Sequence, residues 1–163
     1  TMKEKFGDIK GLKVVIAGNV KHSRVARSNI WGLRKLGAEV TVCAPKTLLP
    51  AGIEETDVSV STDLDDCIAG ANVVMGLRLQ LERQQAGLFP SAAEYNAYYG
   101  LNAARLNKAD GDAILMHPGP VNRGLEIGSD IADCEQSYIL RQVTNGVAVR
   151  MAVLFLLTRA KQQ

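Results

Sequence analysis

Apolar positions alternate along the chain between short continuous runs and longer stretches at helical spacing. KVVIA at Lys13–Ala17 reads as a strand covered on both faces, and Gly18 and Asn19 as the turn that follows. Over residues 23–36, Val25, Ala26, Ile30, Leu33 and Leu36 recur at helical spacing, and Gly37 ends the helix. EVTVCA at 39–44 is a second strand, closed by Pro45, and 58–60 is a short edge strand. Thr62 and Asp65 stand at capping-box spacing before a short helix that stops at Gly70. Residues 71–77 give the next strand. Ser91 and Glu94 form a second capping box, for a helix ending at Gly100, and 102–109 a further short helix. AILMH at 113–117 is the last strand, and Asp133 and Gln136 are placed to cap a long final helix reaching about Arg159.

Strand and helix thus alternate throughout, which predicts an α/β fold: a Rossmann-like three-layer sandwich, its parallel sheet flanked by helices, with a long C-terminal helix. In that last helix apolar residues cover nearly the whole circumference between Val147 and Leu157. A helix apolar all round is buried on all sides. It is either wrapped in this domain's own core or packed against a domain this chain lacks. The apolar run is eleven residues and contains Arg150, too short and too charged to span a bilayer, so no membrane is expected.

The chain has 163 residues, the size of one domain, and its 47% hydrophobic and 22% charged content is that of a soluble globular protein. A net charge of +2 without a dense Lys/Arg block argues against nucleic acid. Cys43, Cys67 and Cys134 show no CxxC spacing and only two histidines accompany them, which argues against zinc and for a reduced, cytoplasmic setting. Residues 1–13 carry charge and no apolar segment of signal-peptide type.

The candidate chemistry lies at three strand ends: Asn19 to Arg24, Arg78 to Arg83, and His117 to Gly124. In a parallel sheet all three emerge along one edge and can meet in one cleft. The first turn is neither GxGxxG nor GxxxxGK[ST], so nucleotide binding is poorly supported. It offers a helix N-terminus and Arg24, a site for a small anion. Arg78 offers a planar fork for a carboxylate or phosphate. On the residues alone Arg24 also reads as a solvated surface charge, and Arg78 as an ion-pair partner of Glu82. His117 has the residue type of a general base. Between an apolar strand and a proline, it reads better as a side chain that fixes the turn by hydrogen bonding. Residues 118–120 lack two backbone donors and present carbonyl acceptors, suited to a ligand amide or amino group.

Three segments in order, HSRVARSN (22–29), LRLQLERQ (77–84) and HPGPVNRGLEI (117–127), resemble the aspartate carbamoyltransferase catalytic chain in its C-terminal, aspartate-binding domain. The similarity runs over essentially the whole chain, including GDIKGLKVVIAG and SAAEYNAYYGL. HPGPVNRG favours the aspartate branch, since the ornithine enzymes carry HCLP there. The resemblance implies that Arg24 and Arg78 hold the carboxylates of L-aspartate, with Gln80 near its amino group. It implies that Glu82 orients Arg78, and that backbone carbonyls of Gly119 and Pro120 contact the carbamoyl group of carbamoyl phosphate. Arg83 and His117 are expected just behind these contacts. Asn19 stands where the family commonly has Asp.

The implied reaction forms N-carbamoyl-L-aspartate and phosphate, a step of pyrimidine biosynthesis, with no metal or organic cofactor. The family's carbamoyl phosphate site uses a Ser-Thr-Arg-Thr loop in an N-terminal domain, and no such motif occurs here. Residues 1–163 are therefore expected to be a single aspartate-binding domain, truncated at about Thr1. No catalytic residue is expected in it, and it is expected to be inactive alone and part of a homotrimer in the full-length enzyme. The alternative is a non-catalytic module that binds dicarboxylates or pairs through its apolar helix.

Overall fold

The computed structural model describes residues 1–79 and 91–160. Five strands form one wholly parallel sheet: β1 Lys13–Ala17, β2 Glu39–Cys43, β3 Ser59–Ser61, β4 Val73–Gly76 and β5 Ile114–Met116, in the order β3-β2-β1-β4-β5. The helices are α1 Met2–Phe6, α2 Arg24–Lys35, α3 Leu64–Ile68, α4 Ala92–Tyr99, α5 Ala103–Leu106 and α6 Ile139–Ala160. Two single 3-10 turns, Lys46–Leu48 and Ile53–Thr56, lie between β2 and β3.

The α/β expectation holds, and the period-2 rule explains the layers. Val14, Ile16, Val73 and Met75 face one core with Ile30 and Leu33 of α2. Val15, Ala17, Val74 and Leu115 face a second core with Leu64, Ile68 and Leu106 of α3 and α5. These strands read as unbroken apolar runs because both of their faces are covered. Each fully buried Val, Leu or Ile contributes about 1.5–3 kcal/mol of hydrophobic stabilisation.

From β1 the chain steps outward to β2 and β3, then returns to β4 and β5 on the other side. The order therefore reverses between β1 and β4, and open sheets of this kind form their ligand crevice at such a point. Register keeps the strand ends level there, with Ala17 opposite both Cys43 and Gly76.

Three expected details are corrected. Asp63, not Thr62, caps α3, its Oδ1 accepting the Asp66 N–H at 3.1 Å. Asp65 turns instead to α5, where it pairs with Arg105 and Lys108. Asp133 does not cap α6: it holds Arg123 bidentately at 2.7 and 2.9 Å. Residues 136–138 run along the outer edge of β5, where Leu115 N–H donates to the Gln136 carbonyl and Tyr138 N–H to the Leu115 carbonyl. An uncovered sheet edge recruits backbone partners, and α6 starts only after them.

Helix α6 is not wrapped in this domain's core. Its large apolar side chains from Leu140 to Leu157 are 47–78% exposed. The polar residues before the apolar run also belong to the helix, so the length argument against a bilayer span is corrected too. By length and composition Ile139–Arg159, of mean hydropathy 1.3, is apolar enough to cross a membrane. Its first turns are bound to the body, however. Gln142 Oε1 accepts the His117 N–H at 2.9 Å, Arg141 pairs with Glu4, and Asn145 donates to Thr1 and Glu4.

Candidate functional site

The first arm of the crevice is the turn after β1. Gly18 N–H donates to the Cys43 carbonyl at 2.9 Å, and Leu77 N–H donates to the Ala17 carbonyl at 2.8 Å, so the exits of β1, β2 and β4 are tied together. Gly18 has φ +120°, and a Cβ there would lie 3.0 Å from both the Leu77 carbonyl and Tyr95 Oη. Only glycine allows this approach. Asn19 is buried, and its Oδ1 accepts from the backbone N–H of His22 at 3.3 Å and meets the His22 Nδ1 at 2.9 Å. Both contacts use the oxygen alone, so an aspartate at this place could make them too.

Ser23 caps α2 by accepting the Ala26 N–H at 3.0 Å. Arg24 is then the first helical residue, and it is exposed. The first turn of α2 carries no acidic residue. The positive end of the helix dipole and a guanidinium therefore stand together, an arrangement that costs free energy until an anion arrives.

The second arm follows β4. Leu77 and Leu79 are buried, and Arg78 between them is half-buried. The two leucines thus anchor this segment in the core on either side of Arg78. Gln80, Glu82 and Arg83, expected in this arm, lie outside the described residues, as does the Arg78–Glu82 pairing. The chain returns as α4, capped by Ser91, whose Oγ accepts the Glu94 N–H at 3.1 Å. Tyr95 of α4 is buried against the Gly18 turn.

The third arm follows β5. His117 is fully buried and its Nδ1 accepts the Gly119 N–H at 2.9 Å, so this ring fixes the turn, as expected from its place beside a proline. Gly119 has φ +69° and the Gly119–Pro120 peptide is cis. Pro118 and Gly119 are half-buried and Pro120 is exposed.

Glu126, which no sequence pattern singles out, is 2% exposed. Its Oε1 accepts the Asn122 N–H at 2.7 Å, and its Oε2 accepts from Asn122 Nδ2 at 3.1 Å. Asn122 Nδ2 also donates to the Leu79 carbonyl at 3.2 Å, so the second and third arms are joined. Nothing in LEI marks this glutamate as buried. The one hint is its position beside Ile127, which is itself fully buried. Among the described residues no group of three or more His, Cys, Asp or Glu side chains is placed to hold a metal ion.

The candidate site is thus the edge where β1, β4 and β5 end side by side, each followed by one of the groups in question, Arg24, Arg78 and the 118–120 turn. Such a set can bind a small anion carrying an amino or amide group.

Residues 10–157 match the family aspartate/ornithine carbamoyltransferase, Asp/Orn binding domain. The aspartate carbamoyltransferase catalytic subunit of Halothermothrix orenii is 61% identical over 157 residues, 96% of this chain and 50% of that protein. That of Acetivibrio thermocellus is 58% identical over 159 residues, 98% and 51% of the two chains. Among solved structures, ornithine carbamoyltransferase from Pyrococcus furiosus superposes with a TM-score of 0.79 at 28% identity, covering 94% of this chain and 51% of that one. Aspartate transcarbamoylase from Trypanosoma cruzi in complex with phosphate gives 0.76 at 25% identity, covering 94% and 52%. The chain spans about half the length of the curated relatives it matches. With the family match covering most of its length, this chain belongs to the aspartate/ornithine carbamoyltransferases, as their Asp/Orn binding domain.

Proposed function

We propose that this chain is the L-aspartate-binding half of an aspartate carbamoyltransferase. The full enzyme would join the carbamoyl group of carbamoyl phosphate to the α-amino nitrogen of L-aspartate, giving N-carbamoyl-L-aspartate and phosphate for pyrimidine biosynthesis. The observation that carries the reading is placement: Arg24, Arg78 and the 118–120 turn each follow a strand, β1, β4 and β5, and those strands end side by side at the reversal of strand order, where such sheets form their ligand crevice. Relatives above 55% identity that are named aspartate carbamoyltransferase catalytic subunits support it.

In this reading Arg24 and Arg78 hold the two carboxylates, with Gln80 close to the amino group. Carbonyls of Gly119 and Pro120 accept from the carbamoyl nitrogen, while Glu82, Arg83 and His117 support these contacts from behind. The contribution to rate is orientation: a dicarboxylate fixed at two points has its amino group aimed at one place, and a bimolecular attack becomes effectively unimolecular. We assign no catalytic residue to this half and no cofactor to the reaction. Carbamoyl phosphate would be held mainly by an N-terminal domain, against which the exposed apolar side of α6 would pack. A cytoplasmic homotrimer is the assembly we assign to the full-length enzyme.

The test is Arg78→Ala in the full-length enzyme. Each charge-assisted hydrogen bond lost costs about 1.5–3 kcal/mol, so kcat/KM for aspartate should fall roughly ten- to hundredfold or more. The KM for carbamoyl phosphate should change little. Unaltered aspartate kinetics would remove Arg78 from the site.

A further inference from the structure

Glu126 is an ionisable side chain in a place where apolar packing would be expected. A buried carboxylate is tolerated only when its oxygens are hydrogen-bonded. Here both are used, and both on the same residue: Asn122 donates its backbone N–H at 2.7 Å and its side-chain amide at 3.1 Å. That amide donates a second time, to the Leu79 carbonyl at 3.2 Å. Leu79 follows Arg78 directly, so the carboxylate reaches the second arm of the crevice through one side chain.

The same carboxylate also faces His117. Its Oε1 lies 3.4 Å from His117 Nε2, while His117 Nδ1 accepts the Gly119 N–H at 2.9 Å. An acceptor nitrogen carries no proton, so the imidazole keeps its proton on Nε2, toward the carboxylate. At 3.4 Å the contact is long for a hydrogen bond, and its effect is to select this tautomer electrostatically. The tautomer in turn supplies the acceptor that anchors Gly119.

We propose that Glu126 is a positioning residue for the crevice: its buried carboxylate sets the His117 tautomer and locks Asn122, holding the 118–120 turn in register with the Leu79 end of the Arg78 segment. Its consequence for turnover rests on the functional reading above; its consequence for the turn does not. Glutamine has nearly the same shape but only one acceptor atom. With Oε1 kept toward the Asn122 N–H, its amide nitrogen meets the Asn122 amide donor. The Asn122 amide must then turn over to accept, and it releases the Leu79 carbonyl.

Two measurements test this. In the 163-residue chain, with nitrogen-15 histidine and His22→Gln to isolate one ring, His117 should show the Nε2–H tautomer at neutral pH. An Nδ1–H or doubly protonated ring would overturn the proposal, whatever the enzyme does. In the full-length enzyme, Glu126→Gln should lower kcat/KM for aspartate about five- to tenfold, the loss of one neutral hydrogen bond's worth of positioning. Asn122→Ala should do the same, and the double variant should fall no further than either single change. Wild-type aspartate kinetics in Glu126→Gln, or losses that simply multiply in the double variant, would overturn the positioning role. Because Arg78→Ala is scored separately, failure of the aspartate reading is distinguishable from failure of this one.

Discussion

Cys43 and Cys67 show how a few ångströms of packing separate two identical side chains. Cys43 ends β2 and is fully buried, while Cys67 sits on α3 with part of its surface open. Their thiols share a hydrogen bond, which lowers Cys67 to about 7, with a smaller contribution from Ser61. The same contact, together with burial, pushes Cys43 far above the ordinary thiol range. The thiolate is the nucleophile. Iodoacetamide should therefore label Cys67 with a rate that rises through pH 7 and should leave Cys43 unlabelled in the folded chain, as read by peptide mass spectrometry. Equal labelling of the two would contradict the thiol pairing. The same residue-level logic governs Glu126, where one buried carboxylate decides which imidazole nitrogen faces Gly119.

Helices α3 and α5 are joined through Asp65, whose carboxylate meets Lys108 at 2.8 Å and Arg105 at 3.2 Å. Those hydrogen bonds, Lys108 first and Arg105 second, hold the Asp65 carboxyl below its usual range. A carboxyl lowered in the folded state stabilises fully above its unfolded value near 4, and that contribution fades as pH falls through the folded value. Asp65→Asn should thus lower stability at pH 7 by about 1 kcal/mol or less, because the pair is solvent-screened. In urea unfolding the difference between the two proteins should shrink as the pH falls through the folded Asp65 value. An equal loss at every pH would show that the charge is irrelevant. This pairing was not legible in advance, because Thr62 and Asp65 match a capping box and the true cap is one residue later. The strands were legible: KVVIA is a continuous apolar run, EVTVCA alternates with Val40 and Val42 on one face, and the two are followed by glycine and proline. The start of α6 was not, because the free edge of β5 takes residues 136–138 as a partner, and no local pattern encodes that demand. Within the site, the arginines and the carbonyl turn were visible as polar residues after apolar strands. The link through Asn122 and Glu126 depends on contacts 43 and 4 residues apart and was invisible.

At the scale of the molecule, two features face outward. The crevice lies at the reversal of strand order, and α6 leans off the body over a groove of about 1000 Å³ lined by Leu33, Met75, Met116, Val149 and Val153. So much exposed apolar surface on one helix marks an interaction face, and the chain covers half the length of the relatives it matches. Both features follow if this is the aspartate-binding half of a two-domain carbamoyltransferase. The most direct measurement joins this chain to the N-terminal half of the Halothermothrix orenii relative and supplies carbamoyl phosphate with either L-aspartate or L-ornithine. The account predicts carbamoyl-aspartate formation that is lost with Arg78→Ala, and no carbamoylation of ornithine. A folded, joined protein that carbamoylates ornithine, or that carbamoylates neither amino acid, would contradict it.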